Sequence, residues 1–266
     1  MIRSAIYALV LLASTSAVAA DLAMQPTEPV SPSISAFSWT GFYAGANIGG
    51  TWADYKNRLY TPGGGFPFFI TRDARAISAA GTGSSNSSGV IGGLQAGYNY
   101  QWNSWVFGVE ADISATSLDT SRRNRFTTPG AGAGTHSISE QTPWLATVRP
   151  RVGYSFGQIM LYATGGLAIV QAKVKETTSI PVGISQSGPD LFSQSDVIAG
   201  WTAGGGVEYA FDNHWSIKAE YLYVGLNYSD ISQAKSPFFG NNTLIPYRHS
   251  FDDHINIARV GVNYRF

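Results

Sequence analysis

The chain has 266 residues with 17 Lys and Arg against 17 Asp and Glu, so its formal net charge is zero and nothing suggests bulk attraction to nucleic acid. It contains no Cys, which excludes disulfides, thiolate metal sites and Cys nucleophiles. Charged residues are only 13%, sparse against the quarter or so usual in soluble domains, while aromatics also reach 13% and Gly numbers 30. Gly, aromatics and short alternating runs suit a barrel.

Residues 1–20 read as an export signal, with Arg3 as the positive region, Ile6 to Ala13 as the apolar stretch and Val18-Ala19-Ala20 as a small-residue cleavage site. The apolar run is too short to span a bilayer as a helix. Residues 21–38 hold Pro26, Pro29 and Pro32 among small polar residues and read as an extended periplasmic arm. A first strand opens at Trp39, with Phe42, Ala44, Ala46 and Ile48 on one face. The second places Leu94, Ala96, Tyr98, Tyr100 and Trp102 opposite Gln95, Gly97, Asn99 and Gln101. Asn103-Ser104 turns into the third, where Trp105, Phe107, Val109, Ala111 and Ile113 alternate with Gly108, Glu110 and Asp112. The fourth sets Trp144, Ala146, Val148, Val152 and Tyr154 against Thr147, Arg149, Arg151 and Gly153. Gly157-Gln158 leads to the fifth, with Leu161, Ala163, Leu167 and Ile169 outward. The sixth opposes Trp201, Ala203, Val207 and Tyr209 to Thr202, Gly204, Gly206 and Glu208. After Asp212-Asn213-His214, the seventh opposes Trp215, Ile217, Ala219, Tyr221 and Tyr223 to Lys218 and Glu220. The eighth ends the chain, with Ala258, Val260, Val262, Tyr264 and Phe266 facing away from Arg259, Gly261, Asn263 and Arg265.

Short turns follow strands two, four and six, and long polar stretches, near residues 53–88, 118–142, 175–195 and 229–250, follow the others. Closure satisfies every backbone N–H and C=O where water is absent, and short periplasmic turns with long extracellular loops are the outer-membrane arrangement. The expectation is an all-β chain: an eight-stranded antiparallel transmembrane β-barrel over residues 39–266 in the cell outer membrane. A water-soluble barrel of lipocalin type would put the apolar face inside. Two features oppose that reading: the many glycines on the face opposite the aromatics, which suit a narrow lumen, and the balanced charge there.

That inner face carries Glu110, Asp112, Glu208 and Glu220 with Arg149, Arg151, Lys218, Arg259 and Arg265. A base facing lipid at mid-membrane would cost about 2–4 kcal/mol, so these groups are expected inside and paired. Near-equal numbers favour a cross-linked polar core over a charge-selective pore, and eight strands leave an interior that side chains can fill. A narrow conduit is the rival.

The segments Trp39-Thr40-Gly41-Phe42-Tyr43-Ala44-Gly45, Arg149-Pro150-Arg151-Val152-Gly153-Tyr154, Gly200-Trp201-Thr202-Ala203-Gly204-Gly205-Gly206-Val207-Glu208-Tyr209, Lys218-Ala219-Glu220-Tyr221-Leu222-Tyr223 and Asn263-Tyr264-Arg265-Phe266 resemble the small alphaproteobacterial outer-membrane proteins of the OmpA-like, opacity-type barrel family, whose members include surface antigens and hemin-binding proteins. The resemblance implies insertion by the outer-membrane assembly machinery, with Phe266 as the recognition residue. Leu222, Ile255 and Ile257 depart from it by placing apolar groups on the nominal inner face.

Specific function is expected in the loops. Arg122, Arg123 and Arg125 could hold lipopolysaccharide phosphates through charge-assisted hydrogen bonds. His136, His249 and His254 are the candidate axial ligands for hemin, without a spacing motif. Ser250, Asp252, Asp253 and His254 lie close in sequence, but no nucleophile elbow is present and no enzyme is expected. Neither a metal nor a cofactor is expected. The reading is a surface protein contributing to envelope integrity, with porin-like passage of small solutes as first alternative and loop-mediated hemin or host-surface binding as second.

Overall fold

The computed structural model describes residues 37–63, 71–128, 132–179, 181–182, 185–186, 190–235 and 244–266. The export signal and all but the end of the Pro-rich arm lie outside the described residues. Eight long antiparallel strands form a closed ring in the order β1-β10-β9-β8-β5-β4-β3-β2. They are β1 (Gly41–Tyr60), β2 (Gly83–Trp102), β3 (Trp105–Thr128), β4 (Gly132–Phe156), β5 (Ile159–Ser179), β8 (Asp190–Ala210), β9 (Trp215–Lys235) and β10 (Leu244–Arg265). A two-stranded hairpin, β6 (Pro181–Val182) with β7 (Ser185–Gln186), intervenes between β5 and β8. Closure runs through β1 and β10, from Tyr43↔Arg265 to Tyr60↔Arg248, and the amide of Phe266 donates to Phe42 O at 3.0 Å.

The periplasmic turns are tight because their residues accept the required backbone. Asn103 takes φ +53° between the paired Trp102 and Trp105, and Gly157 takes φ +78° between Phe156 and Ile159. Asp212 Oδ1 accepts from the amides of His214 (2.7 Å) and Trp215 (2.6 Å), an Asx-type turn.

Ile48, Leu94, Val109, Val148, Leu161, Val207, Ile217 and Val260 are exposed on the outer wall, so the apolar face meets lipid and the lipocalin alternative fails. Aromatics ring both edges of this band. At the periplasmic edge Trp105 packs edge-on to Tyr154 and Trp215 to Tyr264. At the outer edge Trp52 meets Tyr221 and Trp201 meets Tyr223.

Strands of 20 to 25 residues are about twice what a bilayer crossing needs, so roughly half of each stands outside the membrane. This corrects the long-loop expectation: most of 118–142, 175–195 and 229–250 is strand. The first long connection also holds a helix, α1 (Thr71–Gly81), absent from the sequence reading. Its Ala74, Ile77 and Ala80 are buried on one face. The carbonyls of Ala80 and Gly81, orphaned at the helix end, accept from Asn124 Nδ2 (2.7 Å) and Asn57 Nδ2 (2.6 Å) on β3 and β1.

Inside, the lumen is layered. A periplasmic cluster of Trp39, Val106, Met160, Tyr162 and Ala210 is followed by the charged residues. Further out lies an apolar layer that includes Ile91, Leu145, Val170, Leu222, Val224, Ile255 and Ile257. The departures at Leu222, Ile255 and Ile257 therefore keep the alternation; it is the inner face itself that turns apolar. Truncating Leu222 to Ala should cost about 2–5 kcal/mol through the cavity it leaves. Urea titration followed by the gel-mobility shift between folded and unfolded forms would reveal the loss. An unchanged midpoint would mean that the layer is loosely packed.

Candidate functional site: the ionic layer of the lumen

Each charged side chain of this layer projects inward because its strand alternates faces, and the glycines between them leave room. Gly49 is one such position: a Cβ there would stand 2.1 Å from Ala258 O and 2.7 Å from Arg259 Cβ. A residue without a Cβ on one strand thus lets the backbone of the arginine-bearing strand approach closely.

Arg149, 0% exposed, occupies the centre. Its Nη2 donates to Glu110 Oε1 at 2.7 Å and Asp112 Oδ2 at 3.1 Å, and its Nη1 to Glu220 Oε1 at 3.2 Å. Lys218 Nζ donates to both oxygens of Glu110, at 2.7 and 2.8 Å. Arg259 bridges Asp112 (Nη1 to Oδ1, 3.0 Å) and Glu220 (Nε to Oε2, 2.8 Å). Arg151 donates to Glu208 Oε2 at 2.7 Å and to the Tyr43 hydroxyl at 3.0 Å, and lies 4.2 Å from the Tyr162 ring centroid. Neutral donors complete the carboxylates: Tyr43 to Glu110 (2.8 Å), Thr147 to Asp112 (2.5 Å), Tyr162 to Glu220 (3.1 Å), and Ser216 (2.6 Å) and Asn263 (2.9 Å) to Glu208. Four bases meet four acids. Chemically, such a layer fixes charge in place. An isolated buried ion would be costly, whereas each of these is paired and hydrogen-bonded.

Arg265 does not belong to this set. Its parity is inward, but it stands at the strand end, where Nε and Nη2 donate to Asn213 O at 3.1 and 2.6 Å and the guanidinium lies 4.6 Å from the Phe37 ring centroid. It tethers a periplasmic turn.

Of the three loop arginines, Arg123 and Arg125 point outward, but Arg122 faces into the barrel and donates to Asn57 Oδ1 at 2.9 Å. The histidines divide likewise. His136 and His249 are buried inside the extracellular extension, both beside Glu176, at 3.4 and 3.2 Å. That burial withdraws them as accessible axial ligands. His254 lies apart from them and pairs with the Tyr223 hydroxyl at 2.7 Å. Sequence reading missed Glu140, Glu176 and Asp253 as inward groups. Register shifts between Gln141 and Leu145 on β4 switch the inward face from odd to even positions, which turns His136, Ile138 and Glu140 inward.

A closed antiparallel ring with an apolar, aromatic-edged exterior and a charged interior defines a transmembrane β-barrel of the outer membrane. The chain matches the family described as "Outer membrane protein beta-barrel domain" over residues 5–266, and it belongs to that family. It is 35% identical over 260 residues to the 31 kDa outer-membrane immunogenic protein of Brucella melitensis, covering 95% of each chain. It is 28% identical to the 22 kDa outer membrane protein of Rhizobium leguminosarum bv. viciae, over 90% of this chain and 82% of the relative. Among solved structures it is similar to OprG from Pseudomonas aeruginosa (11% identity, TM-score 0.45, 85% of this chain and 97% of that one) and to Ail of Yersinia pestis (16%, TM-score 0.35, 85% and 99%).

Removing the Arg149 guanidinium would leave Glu110, Asp112 and Glu220 short of charge. Arg149→Ala should therefore lose about 3–5 kcal/mol, whereas Arg265→Ala should lose about 1 kcal/mol or less, as surface changes do. Comparing their heat-modifiable gel mobility against temperature tests both, and equal losses would break the distinction between the two arginines.

Proposed function

We propose that this protein is a non-enzymatic surface barrel that contributes to envelope integrity, with a lumen closed by its ion pairs rather than open as a porin. The observation that carries this reading is the Arg149 cluster, in which one guanidinium from β4 donates to three carboxylates on two other strands, β3 and β9. Ions crossing this layer would have to break contacts that leave buried charges unpaired. The apolar layer above it gives a permeating ion no replacement for its hydration shell. A single-file conduit would instead call for a continuous polar path with one sign of charge predominating.

The same reading assigns the exterior roles. Arg123 and Arg125, outward on β3, are the groups left to meet lipopolysaccharide phosphate. Phe266, 77% exposed at the periplasmic edge, is the residue offered to the assembly machinery. The naming of the Brucella relative as an immunogenic protein supports a surface that reaches the cell exterior.

Planar-bilayer recording of the refolded protein tests the closure. Insertion without discrete conductance steps is the expected result. Reproducible steps that shift in size when Lys218 or Glu220 is neutralised would establish a conduit and overturn the proposal.

A further inference from the structure

Above the membrane the wall is not ladder-bonded all the way round. β8 and β9 pair from Ala210↔Ser216 only as far as Trp201↔Gly225. Beyond that fork β8 continues paired to β5 up to Thr178↔Asp190, and β9 to β10 up to Leu244↔Lys235. No β8–β9 backbone pairing spans the seam among the described residues. Side chains span it instead. Glu176 on β5 meets His249 on β10 at 3.2 Å, and Ile138 and Val174 pack with Phe251, which stacks on Tyr228 at 4.6 Å.

Three carboxyl groups, Glu140, Glu176 and Asp253, are buried around this seam, outward of the Trp52–Tyr221 and Trp201–Tyr223 pairs and so outside the membrane-spanning segments. Glu140 and Glu176 are poorly served. Glu140 Oε1 has no hydrogen-bond partner, and among the described residues its other oxygen accepts from Ser85 alone, at 3.3 Å. His136 Nε2 and His249 Nδ1 stand 3.4 and 3.2 Å from Glu176, yet His136 Nε2 and Glu176 Oε2 have no hydrogen-bond partner. Asp253 accepts from the Lys56 amide at 3.2 Å and from the Tyr228 hydroxyl. Solvent does not reach the bare oxygens, so the ligand that fits them is a proton.

We propose that the β8–β9 seam is a proton-operated closure: it is shut while Glu140, Glu176 and Asp253 are protonated, and it parts sideways, just above the membrane, when they ionise. The other groups facing the cluster do not cancel three negative charges. Among the described residues Arg122 from β3 is the fixed cation acting on Glu140, and it already serves Asn57. Asp119 from β3, Asp196 from β8 and Asp252 from β10 add negative charge around the tyrosines and Asp253. Tyr55 and Tyr228 are neutral, and His136 and His249 lose any charge as pH rises.

The sign follows from burial. Desolvation holds Glu140 up to about 7, and desolvation with the Glu140 charge holds Glu176 and Asp253 up to about 8. The closed form therefore binds more protons than the open one from the ordinary carboxyl range upward, and closure weakens as pH rises through about 7 to 8. Desolvation lowers His136 to about 4, a smaller opposing effect confined to more acidic pH.

Spin labels on V197C and S229C, one on each side of the seam, test this in the refolded protein in micelles at about pH 5.5 and 8.5. The interspin distance should lengthen at the higher pH, with the open-to-closed ratio rising by at least about tenfold, the effect of one proton over one pH unit. Labels on A203C and Y223C, partners in the paired part of the same strands, should keep one distance at both. The triple variant E140Q/E176Q/D253N should hold the seam shut at both pH values. Equal distances across the wild-type seam at both pH values overturn the proposal on their own, whether or not the triple variant folds. A folded triple variant that opens like the wild type overturns it too.

Discussion

The structure rests on a limit of space. Lipid obliges every backbone polar group to bond within the sheet, and a ring of eight strands meets that obligation with an interior no wider than its own side chains. Everything charged must then share one narrow axis. Arg149, Arg151, Lys218 and Arg259 cannot turn outward without facing acyl chains, and cannot stay inward without acids beside them. Glu110 and Asp112 on β3, Glu208 on β8 and Glu220 on β9 supply those acids. The wall glycines follow from the same limit, since a Cβ at Gly49 would run into the main chain of Ala258 and Arg259.

Along the axis the chemistry changes in step with what surrounds the wall. In the membrane-embedded part, ion pairs are shielded from water and hold fixed partners. Near the outer edge the inward positions become Leu222, Val224, Ile255 and Ile257, which need no partners at all. Beyond the membrane the inner face turns titratable again, but with acids in surplus and a wall that lacks one ladder. Rigidity in the lower barrel and a proton-sensitive upper part are thus two consequences of one repeating strand.

Much of this was legible in the residues. Alternation such as Lys218-Ala219-Glu220-Tyr221 assigns faces without any coordinates, because a strand's period is two. The extracellular strands were not legible, since segments such as Leu118–Thr142 are polar on both faces and carry no lipid-facing signal. Nor was the turning inward of His136 and Glu140, because a register shift between Gln141 and Leu145 leaves no mark in composition. Arg265 misled for a different reason: its parity is right, but a long side chain at a strand end finds the nearest carbonyl, that of Asn213. Helix α1 is held by Asn57 and Asn124 from distant strands, which its own sequence does not encode.

Contacts between lipid protons and assigned side chains test the account most directly. In deuterium-exchanged bicelles, nuclear Overhauser effects from acyl chains should reach Val148, Val207 and Val260 and should be absent from Arg149, Lys218 and Arg259. Acyl-chain contacts to those three cations, or bulk-water exchange at the Arg149 guanidinium as fast as at an exposed arginine, would contradict an interior in which paired ions fill the axis.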